Sequence, residues 1–151
     1  MEQKEALTVL LIEPERYPKV IQIGSDLKSL QQAVGGWIEA VYPWEDKAAI
    51  ILNEEGKLNQ LPLNRALRTD DGEIYDITAG NMLVVGLGEE NFSSLTNDQL
   101  THYEKLFHQP ETFIRLSGHL MAFPIPDKMV RCAEKAQGQE AARKAPDHNA
   151  R

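Results

Sequence analysis

Two apolar runs of strand length, residues 37–42 and 48–52, lie five residues apart within one block, residues 34–68 (VGGWIEAVYPWEDKAAIILNEEGKLNQLPLNRALR). The segment between them carries Pro43, Glu45 and Asp46 and is too short for a helical crossover. The two runs can therefore only double back as an antiparallel pair. The same punctuation recurs along the chain. Residues 8–12 and 19–23 are apolar runs separated by a linker with Pro14 and Pro18. Residues 74–77 alternate apolar and polar, and residues 82–85 are apolar throughout, the pattern of a central strand. Turn signals stand between the runs: Asn53-Glu54-Glu55-Gly56-Lys57, Asp70-Asp71-Gly72 and Ala79-Gly80-Asn81.

Three segments read as helices. Ser25 caps the first, Leu27, Leu30 and Val34 share its inner face, and Gly35-Gly36 ends it. Pro62 suits the first position of a short second helix reaching Arg68, with Leu63 and Leu67 inward. Thr96 and Gln99 form a capping box for the third, Leu95 and Leu100 a hydrophobic staple, and Pro110 stops it. Leu100, Tyr103 and Phe107 give its buried stripe. Phe113, Ile114, Leu116, Leu120 and Phe123 are apolar enough to pack back on the body. The sum is an α+β fold: a mainly antiparallel sheet of five or six strands with two or three helices packed on one side.

The length of 151 residues suits one domain, and an apolar share of 42% supports a core. The expected domain is residues 1–127. Residues 128–151 turn to Ala, Gln, Lys, Arg and Glu and read as a polar tail, a frayed helix or disorder. The net charge of −7 is uneven: residues 1–127 hold 20 acids against 10 bases. An acidic body disfavours direct contact with nucleic acid, which needs clustered Lys and Arg. It suits a basic protein partner, or simple solubility. Cys132 is alone, so no internal disulfide forms. The first apolar run is preceded by acids and spans only residues 9–12, unlike a signal peptide, and no segment reaches membrane-spanning length. The expectation is a cytoplasmic protein with no membrane contact.

Catalytic patterns fail one by one. Val84-Val85-Gly86-Leu87-Gly88 opens like a dinucleotide fingerprint, but Asn91 stands where the third glycine belongs. His102, His108, His119 and His148 show no i, i+4 spacing for a metal. No serine sits in a Gly-x-Ser-x-Gly elbow, and Cys132 has no base beside it. An enzyme acting on a nucleotide ranks last, with no residue to name as its base or metal ligand, and neither a cofactor nor a metal is expected.

What remains is a binding set within residues 34–68. Arg65 suits a phosphate or carboxylate through its planar fork. Asn53, Asn59 and Asn64 both donate and accept hydrogen bonds. Trp37, Tyr42 and Trp44 offer stacking surfaces, and Glu39 lies within an apolar run. These residues also have a purely architectural reading, with the asparagines as turn formers, Arg65 paired to Glu39 and the aromatics in the core.

The strings TVLLIEPERYPKVIQIG, LQQAVGGWIEAVYPWED, NEEGKLNQLPLNRALR, GEIYDITAGNMLVVGLGEENFSSLT and YEKLF, within residues 8–116, resemble a small uncharacterised domain family of phages, plasmids and conjugative elements of gut bacteria. That resemblance implies a setting near antirestriction genes and carries over no catalytic residues. Two expectations follow. The first is a non-enzymatic accessory protein that sequesters a small nucleotide-derived immune signal at the Arg65 set, with homo-oligomerisation completing the site. The alternative is an acidic interaction protein that blocks a host restriction or DNA-binding component.

Overall fold

A computed structural model describes residues 6–130. The chain runs β1 (Ala6–Ile12), β2 (Lys19–Gly24), α1 (Leu27–Val34), β3 (Ile38–Val41), β4 (Ala48–Asn53), β5 (Leu63–Arg68), β6 (Ile74–Ala79), β7 (Met82–Leu87), β8 (Phe92–Ser93), α2 (Asn97–Leu106), β9 (Glu111–Leu116) and β10 (His119–Pro124). Five strands form the main sheet in the order β2-β1-β7-β4-β3, with the short β8 added to β7. Every pairing in it is antiparallel. β7 occupies the centre, as its unbroken apolar run predicts. β5–β6 and β9–β10 form two further two-stranded sheets.

The main sheet is buried on both faces, and strand alternation sorts its side chains. Leu10, Ile12, Ala48, Ile50, Leu52, Met82 and Val84 point to one face, where Leu67 of β5, Leu95, and Tyr103 and Phe107 of the α2 segment cover them. Leu7, Val9, Ala49, Ile51, Leu83 and Val85 point to the other, covered by Leu30 and Val34 of α1. Double burial explains why β4 and β7 read as continuous rather than alternating apolar runs. It also corrects an expectation: the helices lie on opposite faces of the sheet, not on one side.

Asp26, not Ser25, caps α1, its carboxylate accepting from the Ser29 N–H. Gly35 ends the helix in the left-handed region at φ 81, where a side chain is unfavourable. The capping box at Thr96 and Gln99 is formed in both directions. Gly86 is there for space: a Cβ on it would lie 2.5 Å from the Ser94 carbonyl. The Gly-x-Gly of β7 thus serves the close passage of β8 and the segment after it.

The helix expected at residues 62–68 is a strand instead. β5 pairs with β6 through Leu63–Ala79 and then Ala66–Ile77, so one extra residue is accommodated on β5. Such a bulge turns neighbouring side chains to the same side. Asn64 and Arg65 both go inward, 0% and 1% exposed.

The apolar segment after Pro110 only half meets its expectation. Phe113 and Leu120 are half-buried, while Ile114, Leu116 and Phe123 stay exposed. Residues 127–130 are helical and Val130 is buried, so the start of the expected polar tail is ordered. The rest of that tail, with Cys132, lies outside the described residues. No helix among the described residues is long and apolar enough to cross a membrane.

Candidate functional site

The bulge in β5 decides what Arg65 does. Its Nε donates to the Phe107 carbonyl at 2.9 Å, Nη1 to Asn64 Oδ1 at 2.9 Å, and Nη2 to the Arg16 carbonyl at 2.6 Å. Asn64 is itself spent: its Nδ2 donates to the carbonyls of Ile12 and Gly80, both at 2.8 Å. The guanidinium therefore pins β5 to the end of α2 and to the β1–β2 loop. Burial pulls its pKa down to about 10, opposed by the nearby Glu111 carboxylate. The solvent-open cradle expected around Arg65 is absent, because the fork faces backbone oxygen in the interior. Glu39, its suggested partner, is exposed on β3.

The other members of the predicted set are dispersed. Trp44 is half-buried against the core, its ring 4.4 Å from Tyr103 and 6.1 Å from Phe107. Asn59 is exposed in the β4–β5 turn, and Tyr42 is exposed beyond the end of β3. Asn53 is a buried turn former: its Nδ2 donates to the Val34 carbonyl at 3.2 Å, and its Oδ1 accepts from the Glu55 N–H at 2.8 Å. Glu39 and Asn53 are the two that share a concavity.

That concavity is a cleft of about 290 Å³ between the β3–β4 edge and β6. Its charged lining comes from Glu39 on β3, Glu54 and Lys57 in the turn after β4, and Asp76 on β6. Lys57 Nζ is bonded to Asp76 Oδ1. Leu58 also lines the cleft and is 79% exposed. Trp37, 67% exposed, stands just before β3, and its carbonyl accepts from the Glu54 N–H at 2.7 Å. β3 ends the main sheet, so its outer backbone edge is unpaired among the described residues. Three carboxylates thus converge beside an open strand edge and an exposed indole. Sequence reasoning found Glu39, Asn53 and Trp37 but read Glu54 only as part of a turn. Asp76 joins the cleft only through the β5–β6 pairing, which the helical reading of residues 62–68 concealed.

A larger groove of about 540 Å³ lies beside the start of α2, lined by Asp46, Lys47, Ser93, Ser94, Thr96, Asp98, Gln99, His102 and Leu87. It holds serine, histidine and aspartate together, yet they form no relay. Ser94 Oγ accepts from the Thr8 N–H, Ser93 Oγ donates to the Ser94 carbonyl, and Asp46 accepts from Tyr103 and Gln99. Those two bonds hold the Asp46 carboxyl below its usual range. Burial, with the bond to Asp46, pushes the Tyr103 phenol up. Among the described residues no group of acids, histidines or cysteines could hold a metal ion.

The family described as Domain of unknown function (DUF3846) matches residues 7–108, from β1 to the end of α2. The chain belongs to that family. No curated protein and no solved structure matches it. The matched span contains the main sheet from Leu7 onward, the Arg65 clamp and the acidic cleft, and it ends before the β9–β10 hairpin.

Proposed function

We propose that this family member is a non-enzymatic binding module that takes a basic protein segment at the cleft between β3–β4 and β6. The observation that carries the reading is the convergence of Glu39, Glu54 and Asp76, from three separate elements, around a space where the one cation is Lys57. Three carboxylates against one ammonium leave the cleft net negative, and that charge attracts a cationic partner. The unpaired edge of β3 offers backbone hydrogen bonds to an extended chain. Trp37 offers a ring face to a Lys or Arg of the same segment. In the mobile-element setting that the sequence resemblance implies, the partner is a host restriction or DNA-binding component in the cytoplasm, and the acidic surface occupies its nucleic-acid-binding face.

The nucleotide-sequestering reading stands second. It requires a cation facing the ligand, whereas Arg65 is spent on carbonyls and Lys57 on Asp76. One thermal-shift series compares the two. Arginine- and lysine-rich ten-residue peptides are expected to raise the melting temperature saturably, because a ligand of the folded state stabilises it. Nucleotides and cyclic nucleotides are expected to leave it unchanged. A shift with a nucleotide and none with the peptides would reverse the order of the two readings.

A further inference from the structure

The β9–β10 hairpin has one face for the body and one for something else. Its register pairs Thr112 with Phe123, Ile114 with Met121, and Leu116 with His119, and these six side chains share a face. The opposite face is anchored. Glu111 is buried, accepts from the Ala66 N–H at 3.1 Å and pairs with Arg68, while Phe113, Leu120 and Ala122 are half-buried. On the outer face Ile114 is 45% exposed, Leu116 53%, Met121 42% and Phe123 38%. A recess of about 270 Å³, lined by Glu15, Thr112, Pro124, Ile125, Pro126 and Met129, adjoins it at Thr112. Contiguous apolar surface of this kind marks a contact site.

We infer that this face packs against the same face of a second copy of the chain across a two-fold axis. Charge is the first argument. The six side chains include no carboxylate, lysine or arginine, in a chain of net charge −7. Two acidic bodies meet at lowest Coulomb cost through an uncharged patch, whereas a basic partner finds no carboxylate to pair with on this face. The second argument concerns the composition of residues 131–151, which follow Val130 in sequence. Residues 131–151 contain Cys132, alanines and Pro146 but no Leu, Ile, Val, Met or aromatic residue. That segment lacks the side chains to cover four large apolar ones. A two-fold contact uses the same patch on both copies and closes as a dimer without leaving a repeating edge. Strands of six residues span about 20 Å, so the face lies below the roughly 800 Å² per partner of a standard interface. The dimer is therefore of the transient class.

The inference is independent of what the cleft binds. Sedimentation velocity on the full chain, from about 1 to 500 μM, tests it across the range in which transient dimers form. The unmodified chain should shift from monomer to dimer with concentration. Ile114→Glu with Met121→Glu should weaken dimerisation by about tenfold or more, since each buries a charge at the contact. Val20→Glu, on the exposed part of β2, should leave it unchanged. A chain that stays monomeric throughout, a dimer of equal strength in the double variant, or equal weakening by Val20→Glu would each overturn the inference.

Discussion

Arg65 shows how far a residue's type underdetermines its role. A planar cation among asparagines reads as a ligand anchor, and the same fork satisfies the carbonyls of Phe107 and Arg16 and the amide of Asn64. Replacing it leaves those buried acceptors without donors. Arg65→Met should lower unfolding free energy by about 3 kcal/mol or more in urea titration. Arg65→Lys should recover less than half, because one ammonium cannot reach three separated oxygens. A loss below about 0.5 kcal/mol, the range of ordinary surface substitutions, would mean that the clamp is not formed. Asp46 supplies a pH-dependent counterpart. Its carboxyl is lowered by the bonds from Tyr103 and Gln99, so its native pKa lies below its unfolded one. A depressed acid adds stability above its unfolded pKa and loses it as pH falls through the native value. Melting temperatures taken downward from about pH 4, near the ordinary aspartate value, should drop less steeply for Tyr103→Phe than for the unmodified chain. Parallel curves would show that the bond has no effect on stability.

At the scale of elements, local patterns succeeded where local forces dominate. The capping box of α2, the glycine end of α1 and the central run of β7 each follow from residues close in sequence. Residues 62–68 defeated the same reasoning for a physical reason. Pro62, with Leu63 and Leu67 four apart, fits one short helix, but seven residues carry little helical stability of their own. Pairing with β6, the bulge and the burial of Leu67 against the sheet outweigh it. The error spread to the site, because Asp76 reaches the cleft only once β5 is a strand. Placement of the helices was also hidden, since runs buried on both faces do not show which face each helix covers. Thr96→Ala should cost about 1 kcal/mol through loss of the cap. Gly86→Ala should cost about 1–3 kcal/mol, because its Cβ meets the Ser94 carbonyl and must displace the chain that follows β8. Denaturant midpoints near that of the unmodified chain would contradict both assignments.

For the whole molecule, composition told of an acidic body but not where its acids converge. The sheet edge at β3 gathers Glu39, Glu54 and Asp76, while Asp70 and Asp71 sit out in the β5–β6 turn. The central claim is that location, rather than total negative charge, governs binding of a basic segment. Fluorescence anisotropy of a labelled arginine-rich ten-residue peptide, titrated with the protein at two salt concentrations, tests it most directly. The account predicts saturable binding that weakens with salt, is lost in Glu39→Lys with Glu54→Lys, and persists in Asp70→Lys with Asp71→Lys despite the same change in net charge. Equal loss in the two double variants, or no binding by the unmodified chain, would contradict it.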